Sequence, residues 1–326
     1  MSLSRRTLLA SSALPLSCIW PAFAAAAAAT DAKPLQLVVP VPPGGSVDLT
    51  GRMLAERLPA LLNQPVVVEN RAGASGTLAA ASVARAAGDP NTMMLVFDSH
   101  ATNPLVFPQL PYDTQRDFTP ISRLLSFPLV FAVPASLPVS TLAEFITLVR
   151  RNPGRYNYST AGLGTLNHLA VELFKLRTGT HLVHIPYRGG VPALQAVMNG
   201  DVQLFAGSWV AIGPHVKAGR VKVLGVSSAR RYAVAPELPT LAESGVADYD
   251  VSTWIGALAP AQIGAARQRV LHDAVVQALH TPEMLQAFAK LGLEWVGSSP
   301  AEFEAFIAAE QQRWHQLVVK QALSFS

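Results

Sequence analysis

Short apolar runs alternate along this chain with longer segments in which apolar residues recur at helical spacing. The first apolar run begins at Leu35 and breaks at the Pro-Pro-Gly-Gly segment 42–45, after which apolar residues recur about every fourth position from Leu49 to Leu62. This pattern predicts a strand, a tight turn and a helix. The first N–H groups of such a helix have no acceptor within it and carry partial positive charge, so the junction favours an anion.

The alternation continues beyond this junction and predicts an α/β fold. Further strands are predicted at residues 65–69, 93–97, 127–134, 156–159, 182–186, 202–206, 221–226 and 251–258. The C-terminal part is predicted to be helical at residues 265–279, 282–291 and 300–320. Because the strands are almost entirely apolar and are separated by helices, we expect parallel pairing in open sheets covered by helices on both faces.

A second glycine turn opens a helix in the other half of the chain. Residues 161–168, Ala-Gly-Leu-Gly-Thr-Leu-Asn-His, follow a predicted strand and mirror the first junction. The apolar run 127–134 and the strand 251–258 are interpreted as the two crossings between the halves. The predicted domains are residues 31–133 together with 254–326, and residues 134–253.

The first residues have the pattern of an export signal. Arg5 and Arg6 precede an uncharged run that ends in the small-residue cleavage site Ala22-Phe23-Ala24, so residues 1–24 are predicted to be a signal peptide for export to the periplasm. The arginine pair resembles a twin-arginine signal, although a general secretory signal also begins with basic residues. An uncleaved membrane anchor is disfavoured by the alanine-rich, proline-interrupted run, and a lipoprotein by the poor sequence match before Cys18.

Composition excludes several classes of function. Of 326 residues 14% are charged and half are hydrophobic, which indicates a sizeable core rather than disorder. Cleavage near Ala24 removes two of the 25 basic residues and leaves 23 against 21 acidic ones, a net charge of +2. It also removes Cys18, so the mature chain has no disulfide and no cysteine-ligated metal. No basic stripe with interleaved aromatic residues points to nucleic acid.

Enzyme and cofactor motifs find little support. The chain lacks a Gly-x-Ser-x-Gly elbow, a His-Glu-x-x-His helix and a Walker-type turn. The second glycine turn has Asn167 in place of the third glycine of a dinucleotide fingerprint, so no cofactor is expected. His181 and His184 lie three apart on a predicted strand and therefore point to opposite faces, which argues against a shared metal ion.

Several motifs, in order, carry a resemblance to a known family. They include Leu37-Val-Val-Pro-Val-Pro-Pro-Gly-Gly45 with Asp48, Gln64-Pro-Val-Val-Val-Glu-Asn-Arg71, His184-Ile-Pro-Tyr-Arg-Gly-Gly190 and Pro214-His-Val-Lys-Ala-Gly219. Across the mature chain this resembles the Bug (TctC-like) periplasmic solute-binding proteins of tripartite tricarboxylate transporters. The resemblance implies a type II-like, two-domain Venus-flytrap fold, each domain an open sheet flanked by helices. It also implies a monomer that closes on a small carboxylate and presents it to membrane permease subunits.

The resemblance places the main carboxylate-binding loop at Pro42 to Asp48 and the facing loop at Thr160 to Thr165. We expect Asp48 to hold its loop or bind water, since an anion repels a carboxylate. The loop predicted just beyond the strand at 93–97 lies where ligands bind in open α/β sheets. The candidate ligand-binding residues are Pro42, Gly44, Gly45, Asp48, Asp98, Ser99, His100, Thr160, Gly162, Gly164, Thr165, His168, Gly207 and Ser208; no catalytic or metal-binding residue is predicted.

Two departures from the family pattern bear on the ligand. Gly207 stands near a position where the family often has an acidic residue, and Asp98 stands where small residues are usual. Loss of the acid argues against an amino-acid ligand and for a di- or tricarboxylate or an aromatic acid, but Asp98 could restore the charge. Trp209 is a candidate wall of the cleft, whereas Trp254 is expected to pack in the core or at the hinge.

Two other functions remain open on the sequence alone. The same cleft would serve a periplasmic sensor that signals through a membrane protein. A hydrolase or lyase without a recognisable motif is the third possibility.

Overall fold

The structure, a computed structural model, describes residues 33–107 and 109–321. The predicted export signal at residues 1–24 lies outside the described residues. The strands are β1 (Leu35–Val39), β2 (Val66–Asn70), β3 (Thr92–Phe97), β4 (Phe118–Pro128), β5 (Val130–Pro134), β6 (Asn157–Thr160), β7 (Val183–Pro186), β8 (Leu204–Gly207), β9 (Val221–Val226), β10 (Ser252–Pro260) and β11 (Glu294–Trp295). The helices are α1 (Ser46–Leu62), α2 (Thr77–Ala84), α3 (Ser99–Val106), α4 (Leu142–Arg151), α5 (Leu166–Thr178), α6 (Gly190–Asn199), α7 (Trp209–Lys217), α8 (Ala265–Leu279), α9 (Pro282–Leu291) and α10 (Pro300–Gln321).

The strands form two mixed sheets. The first has the order β11-β4-β10-β3-β1-β2, with β1 parallel to β2 and β3, and with β10 antiparallel to β3 and β4. The second has the order β7-β6-β8-β5-β9, with β6 parallel to β7 and β8, and with β5 antiparallel to β8 and β9. The expected parallel pairing is therefore present within each sheet, next to antiparallel strands that the alternation of elements did not predict.

The chain passes between the sheets at two places that lie side by side. The apolar run 127–134 is not one strand: β4 of the first sheet ends at Pro128 and β5 of the second begins at Val130. The chain returns between β9 and β10. Ser227 joins the two passages, because its backbone N–H donates to the Leu129 carbonyl at 2.9 Å while its hydroxyl accepts from the Leu129 N–H at 2.8 Å and donates to the Val251 carbonyl.

The described residues belong to one compact unit of the chain. The strands change sheet after Pro128 and again between Val226 and Ser252. The two-domain division with boundaries near residues 133 and 254 stays a prediction. Within the described part of the chain, no helix is both long enough and apolar enough to cross a membrane.

Two elements differ from the sequence prediction in ways that affect the site. Residues 98–104 were predicted as a loop, but residues 99–106 form the helix α3 despite Pro104 in its last turn. Proline lacks an N–H and usually ends a helix, which explains the wrong prediction. Residues 209–217 form α7 and were not predicted as a helix; Pro214 within it had the same effect.

Helix α10 packs against the first sheet through an aromatic contact that requires a glycine in the strand. Phe303 and Trp254 are fully buried, with ring centroids 5.5 Å apart at nearly perpendicular planes. A Cβ on Gly256 of β10 would lie 2.1 Å from Phe303 Cζ. The Phe303 ring therefore occupies the space that a side chain at position 256 would need.

We expect Gly256→Ala to destabilise the protein by about 1–3 kcal/mol through overpacking. Urea denaturation measures this loss. Because Phe303→Leu replaces the ring that the new methyl meets with a smaller side chain, the double variant should lose less stability than the sum of the losses of the two single variants. Additive losses would contradict the proposed contact.

Candidate functional site

A cavity of about 350 Å³ lies between the ends of strands from both sheets. Its wall includes residues that follow β1 and β3 of the first sheet and β6, β7 and β8 of the second. All five of these strands belong to the parallel parts of their sheets, so their carboxyl ends deliver loops and helix N-termini to one place. The volume falls within the usual range of small-molecule sites.

The Pro42–Ser46 turn presents the N-terminus of α1 to this cavity. Gly45 is the N-cap of the helix and provides no side-chain cap, and Gly45, Ser46 and Val47 line the cavity. The Asp48 carboxylate accepts hydrogen bonds from the Gly44 N–H at 3.0 Å and from Asn70 Nδ2 at 2.8 Å. Asp48 thus holds the turn, as expected from the sequence.

The charge of Asp48 is secured by the same contacts. Burial alone would raise the pKa of Asp48, but hydrogen bonds from Arg52, Asn70 and the Gly44 N–H lower it below its ordinary value. The carboxylate therefore stays ionised at neutral pH and keeps the turn in place.

Two more helices begin at the cavity without a side-chain cap. Gly189 caps α6 and Ser208 caps α7, and neither end is closed by a side-chain hydrogen bond. Gly189, Gly190 and Ser208 line the cavity. Three helices, α1, α6 and α7, thus direct the positive ends of their dipoles at one space, a geometry that stabilises a bound anion.

The second predicted loop is supported from behind by polar side chains. His168 Nδ1 accepts a hydrogen bond from the Gly164 N–H at 3.2 Å, and the Thr165 hydroxyl donates to the Gly162 carbonyl at 2.8 Å. The Thr160 hydroxyl accepts from the Gly162 N–H at 3.3 Å and contacts His184 Nε2 at 2.6 Å. These side chains fix the loop backbone.

The histidines of this support are neutral. The rings of His168 and His184 stack with centroids 4.0 Å apart. Burial lowers the pKa of His168 to about 4 and that of His184 to about 3, with the neighbouring His168 adding to the shift at His184. A neutral imidazole can accept the Gly164 N–H, which an imidazolium cannot.

The loops of the two sheets touch at two places near the cavity. Gly164 lies against Val106 of α3, where a Cβ would come within 2.1 Å of Val106 Cγ2, and Gly189 lies against Pro42, where a Cβ would come within 2.9 Å of Cδ. Both glycines have positive φ, +68° and +118°. Glycine is therefore required both by the backbone conformation and by the close approach.

Two hydroxyl groups of the first half complete the contact with the second loop. Ser75 Oγ donates to the Leu163 carbonyl and Thr102 Oγ1 to the Gly164 carbonyl, each at 2.5 Å. The structure thus has the loops closed over the cavity.

Asp98 also joins the two halves. Its Oδ1 accepts the Leu166 N–H at the start of α5 at 2.9 Å, and its Oδ2 accepts the Thr253 hydroxyl. The side chain is buried and lines the cavity. Burial raises the pKa of Asp98 to about 6, against the opposing effect of these two hydrogen bonds, and Glu310 adds to the rise.

The rest of the cavity wall is mainly apolar. Gly207 allows the Phe205 ring to turn onto the strand end, because a Cβ at 207 would lie 2.2 Å from Phe205 Cε1. The apolar wall residues include Phe97, Phe107, Phe127, Leu129, Phe205 and Ile255. Among the lining residues Arg188 is the cationic one, and its side chain is exposed.

Six of the predicted ligand-binding residues line the cavity: Pro42, Gly45, Asp98, Gly162, Gly207 and Ser208. The other eight are not among its lining residues: Gly44, Asp48, Ser99, His100, Thr160, Gly164, Thr165 and His168. As described above, most of these hold the two loops. Their assignment as ligand contacts stays a prediction that the structure favours less than a supporting role.

His100 and Ser99 illustrate the consequence of the unpredicted α3. His100 is buried between Tyr112 and Phe118, with Nε2 3.3 Å from the Thr114 carbonyl. Burial lowers its pKa to about 4, so the ring is neutral. Ser99 Oγ donates to the Ser75 carbonyl at 2.8 Å. Because α3 is a helix, these side chains contact neighbouring protein groups and do not line the cavity.

The aromatic wall and Arg188 were not predicted from the sequence. Phe127 and Phe205 lie within predicted apolar strands, where they could not be distinguished from core residues. Arg188 lies directly after β7, and the rule that ligands bind beyond strand ends would have found it. Trp254 lines the cavity, while Trp209 packs against Tyr232. No metal-binding group of three or more His, Cys, Asp or Glu side chains occurs in the described ranges.

Comparisons with known proteins agree on one family. Residues 50–323 match the sequence profile of the tripartite tricarboxylate transporter family receptor. Protein BugT of Bordetella pertussis is 35% identical over 292 residues, which cover 88% of this chain and 89% of BugT.

Solved structures of similar proteins have the same fold. R. palustris Rpa4515 with adipate superimposes with a TM-score of 0.86 at 33% identity, covering 89% of this chain and 97% of that one. Periplasmic binding protein BugD gives a TM-score of 0.85 at 28% identity, covering 89% and 98%. The predicted fold class, the α/β fold of periplasmic binding proteins, is confirmed.

The raised pKa of Asp98 predicts a pH dependence of stability. Between the ordinary pKa of 3.8 and about 6, the native state keeps a proton that the unfolded chain has lost. Stability contributed by Asp98 is therefore present at low pH and falls as pH rises through this window, by at most about 3 kcal/mol. Asp98→Asn should gain stability relative to wild type from about pH 4 to pH 6, and thermal unfolding measures the difference.

Asparagine keeps an acceptor for Leu166, and the Thr253 hydroxyl can turn to accept from its amide. Asp273→Asn, which neutralises an exposed carboxylate on α8, is the matched control and should leave the pH profile unchanged. A constant difference between Asp98→Asn and wild type across this range would contradict the assignment.

Proposed function

The chain belongs to the tripartite tricarboxylate transporter family of receptors, and we propose that it is a periplasmic protein that captures a small organic carboxylate for a membrane transporter of that type. The family and the structural neighbours are binding proteins rather than enzymes. In this proposal the ligand is a carboxylate, the partner is a set of permease subunits, and the protein is a monomer that closes on its ligand.

One observation carries the ligand class: three helix N-termini without side-chain caps, those of α1, α6 and α7, meet at one cavity. A buried carboxylate is costly unless its oxygens are hydrogen-bonded. Each hydrogen bond to a charged group contributes about 1.5–3 kcal/mol. Four such bonds account for much of the roughly 8 kcal/mol that micromolar affinity requires.

The apolar wall supports an organic body on this carboxylate. Inorganic phosphate or sulfate would leave Phe107, Phe127 and Phe205 without contact, whereas an alkyl or aryl carboxylate covers them. A protein of similar structure is seen with adipate, a dicarboxylate whose middle is apolar. The proposed ligand therefore places its carboxylate at the helix N-termini and its carbon skeleton against the phenylalanines.

Closure of the two sheets over the ligand is the proposed signal to the transporter. The contacts of Gly164 with Val106 and of Gly189 with Pro42 form only when the loops meet. In an open form these contacts separate and ligand enters. The closed surface, which spans both halves, is what permease subunits would recognise.

A thermal-shift screen of the purified protein with organic monocarboxylates and dicarboxylates tests the ligand class. A true ligand at about 100 times its Kd stabilises the protein by about 2.7 kcal/mol, which raises Tm by several degrees. Phosphate and sulfate at the same ionic strength are the controls and should give no comparable shift. If no carboxylate raises Tm above these salts, the proposed function is wrong.

Gly164→Ala tests closure. The new methyl clashes with Val106 when the loops meet, so it destabilises the closed form, and we expect the affinity for any carboxylate found in the screen to fall about tenfold or more. Gly179→Ala is the matched control: its φ is +58°, close to the +68° of Gly164, and no atom lies within 4 Å of the added Cβ. Both variants have similar backbone strain, so calorimetric titration separates strain from blocked closure; equal affinities of the two would count against closure.

A further inference from the structure

Asp98 places a carboxylate at the N-terminus of helix α5. Asn167 in the first turn of α5 lines the cavity, and the helix, like α1, α6 and α7, has no cap from its own N-cap side chain. Its first N–H group, that of Leu166, is however bonded to Asp98 Oδ1 at 2.9 Å from the other half. At α1 the Asp48 carboxylate bonds the Gly44 N–H of the preceding turn, whereas at α5 the Asp98 carboxylate bonds the first N–H of the helix itself.

Both carboxylate oxygens of Asp98 already accept a hydrogen bond from the protein, so Asp98 does not require a ligand as a partner. Its second oxygen accepts the Thr253 hydroxyl, and only 3% of the residue is exposed. A charged group that acts on it from nearby is Glu310, an anion. Asp98 is therefore held as part of the cavity wall by hydrogen bonds, and the charged group that raises its pKa is an anion rather than a cation.

A second anion brought beside this carboxylate would meet repulsion without compensation. Like charges juxtaposed in a buried site are strongly unfavourable, and proteins use such pairs to reject unwanted ligands. Arg188 is the cation among the lining residues, but its exposed side chain follows β7 and it has solvent as an alternative partner. The Phe205 ring fills the space beside Gly207 and brings no positive charge there.

We propose that Asp98 takes the place of a ligand carboxylate at the N-terminus of α5 and thereby makes the cavity selective for monocarboxylates whose other end is uncharged. This inference rests on the proposed function of the same site. It assigns Asp98 as a specificity residue that acts by excluding a second negative charge, in addition to joining the two halves.

Adipate and its monoamide test the proposal, because the two molecules share length and shape and differ by one negative charge. Calorimetric titrations at about pH 8, where Asp98 is ionised, give both affinities for wild type, Asp98→Asn and the exposed-site control Asp273→Asn. For wild type we expect the Kd of the monoamide to be lower than that of adipate by a factor of about ten or more. Asp98→Asn should reduce this ratio toward one by strengthening adipate binding, and Asp273→Asn should keep the wild-type ratio.

A purely structural role for Asp98 would weaken both ligands equally in Asp98→Asn and leave the ratio unchanged, which would overturn the proposal. Adipate binding to wild type as tightly as the monoamide would overturn it too. Arg188→Gln adds a check: adipate binding that is lost in this variant, with the monoamide unaffected, would show that Arg188 accepts a second carboxylate and would overturn the proposed exclusion. If neither molecule nor any other carboxylate binds wild type, the proposed function itself fails, and this outcome is distinct from the others.

Discussion

The unpaired N–H groups at the start of an α-helix are the constraint on which this structure depends. A helix of any length leaves its first N–H groups without an internal acceptor, and helices α1, α6 and α7 begin at the same cavity, with α5 beginning beside it. The first N–H of α5 is bonded to an acceptor of the protein, the Asp98 carboxylate. The others retain unused hydrogen-bonding capacity in a largely apolar cavity, where an anion satisfies more of it than scattered water does. The parallel strands matter because their order brings these helix starts together.

Some side chains around the cavity line it, and others hold the loops that line it. Asp48 fixes the turn of α1, while His168 and the hydroxyl groups of Thr160 and Thr165 fix the loop before α5. Their polarity serves the backbone of the loop, so the atoms offered to a ligand are largely main-chain N–H groups and aromatic carbon. Such an arrangement would hold the proposed carboxylate through the backbone and leave the remainder of the wall to determine which carboxylate is bound.

The sequence predicted the architecture better than it predicted the contacts. Strand, glycine turn and helix are local patterns, so the junctions at Gly45 and Gly162 could be found from residue order alone, and with them the opposing loops. Whether a side chain enters the cavity depends on which face of an element it occupies. Reading residues 98–104 as loop placed His100 in the cleft, whereas helix α3 directs it between Tyr112 and Phe118. The partners of Asp98 are 68 and 155 residues away along the chain, a separation that no local pattern reports.

Ser227 has a mechanical consequence. Its backbone and hydroxyl bind the Leu129 and Val251 segments, which are the two passages between the sheets. Two independent linkers would permit twisting and sliding as well as bending. If the two sheets close over a ligand as proposed, passages bonded to each other through Ser227 would restrict the motion mainly to a rotation about this point. The loops at Gly164 and Gly189 would then return to the same contact at each closure, and Ser227, which bonds the cavity-lining Leu129, would set the accuracy of that contact.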